Sequence, residues 1–162
     1  MTLSLPFEIR RYTHSDRSRL IAIINAVCAE GQWTYTRHFQ PTLAWQHAFD
    51  EPDCSCHRLF IIENLDGEII GWSDLFPSEQ AFDATLGIAL LAPYRDKGVG
   101  TRVLAYGLAW ANTQHFDKIT LIVRSDNMRA IHLYQKVGFK MSGVVIPPLP
   151  TDGQWFEMIL QY

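Results

Sequence analysis

The stretch with the clearest chemical character is Tyr94–Thr101, YRDKGVGT, which combines two glycines with two basic residues. Glycine lets a backbone approach a ligand closely. The first N–H groups of a helix have no partner inside the helix and carry the positive end of its dipole. A helix that begins here therefore presents a site for phosphate oxygens, with Arg95, Lys97 and Thr101 as additional donors.

Two familiar phosphate motifs do not match this stretch. A P-loop ends in Gly-Lys-Ser/Thr, whereas Gly100 is followed by Thr101 and Arg102. The dinucleotide fingerprint has a small third residue, and Val103 stands there. The remaining interpretations are a phosphate loop of another kind or a plain glycine-rich turn before a helix.

A second stretch runs from Asn127 to Phe139, NMRAIHLYQKVGF, and predicts a helix that ends at Gly138. Asn127, Ala130 and Tyr134 fall on one face of this helix. A tyrosine is neutral at pH 7 and can donate its proton to a group that gains negative charge. The alternative for Tyr134 is an ordinary buried aromatic, and for Asn127 a helix cap.

The elements that must position these stretches follow from hydrophobic periodicity and turn residues. We expect helices that begin at Ser15 or Asp16, at Pro41-Thr42, at Gly98 and at Ser125 or Asp126. The expected strands cover residues 7–12, 58–63, 68–75, 84–91, 118–124, 139–146 and 154–161, the last two joined by a Pro-rich loop over 147–153. This order predicts one domain over residues 1–162, mixed α+β on a central sheet.

Composition excludes several classes of protein. The chain has 162 residues, of which 48% are hydrophobic and 19% charged, as in ordinary globular domains. A net charge of -3 argues against nucleic-acid and anionic-membrane partners. No apolar run reaches the roughly 18 residues of a membrane span, and the N-terminus lacks a secretory pattern, so we expect a cytoplasmic protein.

The cysteines give a weaker signal. Three cysteines are an odd number, which favours a reducing compartment over a disulfide framework. Cys54, Cys56 and His57 resemble half of a metal site, but a second ligand cluster at zinc spacing is missing. We therefore expect a loop there and no metal.

Taken together, the two stretches resemble the GCN5-related N-acetyltransferase (GNAT) family. Arg95-x-x-Gly98-x-Gly100 is similar to its acetyl-CoA pyrophosphate loop. Asn127-x-x-Ala130-x-x-Leu133-Tyr134-x-Lys136-x-Gly138-Phe139 is similar to its second signature. The resemblance implies a mostly antiparallel twisted sheet with a splayed parallel strand pair and helices on both faces. It also implies acetyl transfer from acetyl-CoA to a primary amine of a small molecule, an amino acid or related amine, by direct attack in a ternary complex.

The resemblance assigns roles to particular positions. Tyr134 would protonate the departing CoA thiolate. The residues expected to bind acetyl-CoA are Ile88, Ala89, Leu90, Arg95, Asp96, Lys97, Gly98, Val99, Gly100, Thr101, Asn127, Ala130, Tyr134 and Lys136.

The general base is less clear, because many family members carry a glutamate where this chain has Thr85. Asp83 and Glu157 are the candidate catalytic carboxylates, with Asp74 on the preceding strand and a water chain as further options. The missing glutamate also leaves open a non-catalytic acyl-CoA sensor.

The acceptor side is expected between the first helices and the last strands. Aromatic walls hold apolar or cationic substrates by area burial and cation–π contacts. The candidates are Trp33, Tyr35, Phe39, Trp72, Phe76 and Trp155, each of which is otherwise an ordinary core residue. A protein or peptide N-terminus is the alternative acceptor, and a homodimer is possible in this fold.

Overall fold

The computed structural model describes residues 6–80, 82–147 and 153–162, so most of the Pro-rich loop (148–152) lies outside the described residues. The order of elements confirms the one expected. They are β1 (Phe7–Arg11), α1 (Arg17–Ala29), α2 (Leu43–Asp50), β2 (Arg58–Asn64), β3 (Ile69–Pro77), β4 (Asp83–Leu90), α3 (Val99–Ala111), β5 (Lys118–Arg124), α4 (Met128–Val137), β6 (Lys140–Val145) and β7 (Trp155–Gln161). Short 3-10 turns precede α1 at His14–Asp16 and follow β4 at Ala92–Tyr94.

The described strands form one sheet in the order β1-β2-β3-β4-β5-β7-β6. Neighbouring strands are antiparallel except β4 and β5, which are parallel. Their pairing covers only Asp83–Thr85 against Lys118–Thr120, although β4 continues to Leu90 and β5 to Arg124. The two strands therefore diverge and leave a wedge in the middle of the sheet, which confirms the splayed pair.

Helices cover both faces of the sheet. On one face α1 and α2 bury Leu20 and Phe49 in a cluster with Leu59 and Trp72. On the other face α3 and α4 pack against β3–β5 and β7, with residues such as Leu104 and Ile131 in the cluster. The alternation of side chains along β2 and β3 supplies both clusters, as expected for a sheet that is buried on two sides. Among the described residues, no helix has the length and apolarity to cross a membrane.

The start of α1 is as expected, with Asp16 directly before the helix, whereas the start of α4 differs. Before α1, Asp16 is 1% exposed and accepts hydrogen bonds from the Thr13 backbone and from Arg10 and Arg19, so its carboxylate is held in an ion-pair cluster. Before α4, the cap is Asn127, whose side chain accepts from the Ala130 amide at 3.3 Å, and not Ser125 or Asp126. A turn in which the Asn127 amide donates to the Arg124 carbonyl delays this helix.

Candidate active site

The wedge between β4 and β5 exposes backbone groups of β4. The Leu91 amide donates to the Ile70 carbonyl at 2.8 Å, and the Ser73 hydroxyl donates to the Gly87 carbonyl at 3.0 Å. Residues of an antiparallel strand direct their backbone groups alternately to the two sides. Ile88 and Leu90 therefore direct theirs into the wedge, where β5 has already diverged.

A cavity of about 280 Å³ occupies this wedge. Most of the residues that the resemblance assigned to acetyl-CoA line it: Ile88, Ala89, Leu90, Arg95, Asp96, Gly98, Gly100, Thr101, Asn127, Ala130 and Tyr134. Lys97, Val99 and Lys136 are not among the lining residues. Lys97 and Lys136 are exposed, Val99 is fully buried in the core, and their predicted roles stay predictions.

Four further residues line the cavity, namely Val27, Trp33, Arg129 and Leu133. Trp33 had been expected on the acceptor side, and the other three were not predicted for the site. The sequence does contain a signal for Arg129, because it is a cation in the first turn of α4, two residues after Asn127. Its guanidinium forms an ion pair with Asp96.

The end of the cavity that we expect to bind phosphate lies at the start of α3. Gly98 has φ +78°, a left-handed conformation that favours glycine, and a Cβ there would meet no atom within 4 Å. The need for glycine at this position therefore lies in the backbone conformation. At Gly100 a Cβ would lie 3.3 Å from Leu133 Cδ2, so space is limited. The amides of this first turn, together with the Arg95 side chain, fit a pyrophosphate.

Arg95 also holds the end of β4 in place. Its Nε donates to the Leu90 carbonyl at 2.9 Å and its Nη2 to Glu30 at 2.8 Å. This residue therefore links α1 to the rim of the wedge while its side chain lines the cavity.

Tyr134 lies on α4 and is 7% exposed. Burial raises the pKa of its phenol, and the negative charge of Asp74 raises it further. The hydroxyl therefore keeps its proton at neutral pH, which a general acid requires. The side-chain oxygen of Asn127 accepts from the Ala130 amide and caps the helix that carries Tyr134, so this side chain already has a structural role.

Asp74 of β3 is a buried carboxylate whose charge acts on Tyr134, although Asp74 is not among the residues that line the cavity. It lies opposite Gly87 in the β3–β4 register, and a Cβ at Gly87 would overlap its oxygens. Trp72 Nε1 donates to Asp74 Oδ2 at 3.2 Å. Burial raises the Asp74 pKa to about 7, although the hydrogen bond from Trp72 acts in the opposite direction. A carboxylate with this pKa can both accept and release a proton near pH 7.

The two carboxylates that the sequence favoured lie elsewhere. Asp83 is at the paired end of β4, where it forms an ion pair with Lys118 at 3.4 Å, and is four residues or about 13 Å of strand from Gly87. Glu157 on β7 accepts a hydrogen bond from Ser142 Oγ at 2.8 Å. The pKa of Tyr35 is raised mainly by the burial of its phenol and further by the negative charge of Glu157. Glu157 therefore lies near the aromatic residues of the expected acceptor side.

The predicted aromatic residues fall into two groups. Trp33 lines the cavity, and the Tyr35 ring meets Trp155 edge-on with centroids 4.6 Å apart. Trp33 Nε1 and Tyr35 Oη are buried and, within the described part of the chain, have no hydrogen-bond partner. The second group, Phe39, Trp72 and Phe76, belongs to the core cluster beneath α1 and α2.

The family follows from comparison with known proteins. The model of the Acetyltransferase (GNAT) family matches residues 20–139, which is well over half of the chain. The chain belongs to the GNAT family of acetyltransferases. It is therefore an acetyl-CoA-dependent N-acetyltransferase by family.

Individual relatives differ in their acceptors. An N-alpha-acetyltransferase of Sulfolobus acidocaldarius is 30% identical over 146 residues, covering 83% of this chain and 80% of that protein. The spermidine N(1)-acetyltransferase of Escherichia coli K12 is 30% identical over 116 residues, covering 70% of this chain and 60% of that protein. Among solved structures, a phosphinothricin acetyltransferase of Sinorhizobium meliloti in complex with acetyl-CoA superposes with TM-score 0.79 at 17% identity, covering 99% of this chain and 89% of that one.

Proposed function

We propose that this GNAT enzyme acetylates a primary amine of a small molecule, such as an amino acid or a related amine, by direct attack in a ternary complex. The observation that carries the proposal is an aromatic set made of Trp33, which lines the cavity, and the contacting rings of Tyr35 and Trp155. It combines aromatic area with two buried polar atoms that have no partner in the described chain. Buried donors without partners are costly, and a polar ligand that accepts from them offsets that cost.

Charge on this side also favours an amine. The charge of Glu157 acts on Tyr35, and that of Asp74, which lies against Gly87, acts on Tyr134 of the cavity wall. A cationic acceptor is attracted to aromatic faces and to carboxylates. The protein must then remove a proton, because an alkyl ammonium has a pKa near 10.4 and cannot attack a carbonyl.

In the proposed mechanism each residue has one task. Acetyl-CoA supplies a thioester carbonyl that is activated toward an amine. The amides at the start of α3 and Arg95 hold the phosphate end, and the Ile88 backbone, which points into the wedge, donates to the carbonyl oxygen. Asp74 accepts the proton from the acceptor nitrogen, and Tyr134 donates its proton to the departing sulfur.

A peptide N-terminus is the second candidate acceptor, because a relative of 30% identity is an N-alpha-acetyltransferase. The two classes are separated by a panel of acceptors. We would measure thiol release from acetyl-CoA with amino acids, polyamines, phosphinothricin-like amines and N-terminal peptides.

We expect kcat/KM to be highest for a small amine. A higher kcat/KM for peptides would assign the enzyme to the second class. Tight acetyl-CoA binding without any acceptor-dependent thiol release would instead indicate a sensor.

A further inference from the structure

Four potential metal ligands meet at the junction of α2 and β2. His47 lies in the last turn of α2, Cys54 and Cys56 lie in the following loop, and His57 directly precedes β2. One ligand atom from each residue lies within 4.8 Å of the others. Sequence spacing alone did not find this cluster, because His47 joins it only when the loop folds back onto α2.

Both imidazoles approach the same sulfur atom. His47 Nε2 lies 3.4 Å and His57 Nδ1 lies 3.3 Å from Cys56 Sγ. In a tetrahedral zinc site, bond lengths of about 2.3 Å to sulfur and 2.0–2.1 Å to nitrogen put neighbouring sulfur and nitrogen ligands about 3.5 Å apart. The two observed distances are therefore close to the edges of such a tetrahedron.

We propose that the chain with reduced cysteines binds one Zn²⁺ ion through His47, Cys54, Cys56 and His57. Two thiolates and two imidazoles are an established structural zinc donor set. Four protein ligands leave no open coordination position, so the ion would serve structure and not catalysis. This proposal does not depend on the acceptor or on the proposed proton transfers.

The structure joins Cys54 and Cys56 as a disulfide, which is the metal-free alternative for the same residues. Disulfide sulfurs are not thiolates and do not provide the two anionic ligands. A dithiol reductant supplies two electrons and two protons to the disulfide and is itself oxidised to a disulfide. Each resulting thiol then releases its proton as its sulfur binds the ion.

The location gives the ion a structural consequence. The His57 ring packs edge-on against Phe76 of β3 at 6.1 Å, and Phe76 packs against Trp45 of α2 at 5.1 Å. An ion held by His47 and His57 would therefore fix the C-terminal end of α2 to the sheet. This end of α2 contributes Ala48 and Phe49 to the core cluster that also contains Trp72 and Phe76.

The test uses the full chain without an affinity tag, reduced with dithiothreitol, stripped with a chelator and exchanged into reductant-free buffer under argon. Titration with Co²⁺ should give a one-to-one complex with the visible absorption of tetrahedral cobalt and a thiolate charge-transfer band. Zn²⁺ should abolish both signals in equal stoichiometry. Elemental analysis of the zinc-loaded protein should give one zinc per chain.

Variants identify the ligands. His47→Ala, on an exposed side chain, and Cys54→Ser should each weaken Zn²⁺ binding at least tenfold, whereas His38→Ala, an exposed histidine outside the cluster, should bind as the parent does. At one and the same zinc concentration, zinc should raise the Tm of the reduced parent more than that of Cys54→Ser.

Three results would overturn the proposal. They are the absence of a cobalt spectrum in the reduced parent, unchanged zinc affinity in the Cys54→Ser and Cys56→Ser double variant, and a Cys54–Cys56 bond that survives dithiothreitol. In the last case thiol counting on the unfolded chain would give one free cysteine instead of three.

Discussion

Replacing Asp74 by asparagine tests the proposed base most severely, because it should change stability and catalysis in opposite directions. Asparagine has the same shape, fits behind Gly87 and keeps an oxygen to accept from Trp72 Nε1. It cannot take a proton from the acceptor. General-base catalysis contributes typically 10²–10⁴-fold, so kcat should fall by about a hundredfold or more.

The stability change follows from the raised pKa. An Asp74 pKa of about 7 in the folded protein, against an ordinary value near 4, means that the folded state resists ionisation of this carboxyl. Its contribution to stability is fully present below about pH 4 and is lost as pH rises through about 7. The penalty reaches about 4 kcal/mol at high pH, and about 3 kcal/mol of it develops between pH 5 and pH 8.5.

Asparagine has no such penalty. Its amide hydrogens add a cost that does not vary with pH, so the informative quantity is the change with pH. The difference in unfolding free energy between Asp74→Asn and the parent, from urea denaturation, should shift by about 3 kcal/mol in favour of the variant between pH 5 and pH 8.5. Asp66→Asn, at an exposed turn, is the matched control and should show no shift.

Kinetics complete the test. With saturating acceptor, parent kcat should fall about tenfold per unit as pH drops below about 7, and Asp74→Asn should lose this dependence. The reasoning would be refuted by a variant with parental kcat, or by a stability difference that does not change with pH. A larger loss of kcat from Asp83→Asn or Glu157→Gln would assign the base to that residue.

Three further substitutions test separate parts of the account. Tyr134→Phe should lower kcat at least tenfold and leave acetyl-CoA affinity in calorimetry nearly unchanged, whereas parental turnover would exclude the phenol as the acid. Asp16→Asn should lower the free energy of unfolding by about 3 kcal/mol at pH 7, because it removes the buried carboxylate that pairs with Arg10. The Arg10 guanidinium holds the Asp16 pKa well below its usual range, so this loss should shrink as pH falls below about 4. A loss that does not change with pH in urea denaturation would contradict the ion-pair argument. Trp33→Phe should raise the acceptor KM several-fold through loss of Nε1 with little change in kcat, and an unchanged KM would remove Trp33 from the acceptor site.

The parts of the site that could be predicted from the sequence are local. Gly98, Gly100 and the start of α3 are contiguous, so the end of the cavity expected to bind phosphate could be predicted from the seven residues 95–101. Tyr134 and Asn127 share one helix face because they are seven residues apart, and the structure places both at the cavity. Backbone conformation and helical spacing act over short distances, which is why these predictions need no knowledge of tertiary contacts.

The parts of the site that the sequence could not predict depend on contacts between residues that are distant along the chain. The Asp74 carboxylate has space only because its partner on β4 is Gly87, and the β3–β4 register brings the two residues together. His47 reaches Cys56 because a loop folds back on α2. In each case the decisive contact is absent from the linear pattern.

The central claim is direct acetyl transfer to a small amine within a ternary complex. Initial velocities of thiol release, measured over a grid of acetyl-CoA and acceptor concentrations, test it most directly. The account predicts lines that intersect in double-reciprocal plots and an acceptor product heavier by one acetyl group. Parallel lines, which indicate a covalent acetyl-enzyme, or thiol release that does not depend on any amine, would contradict it.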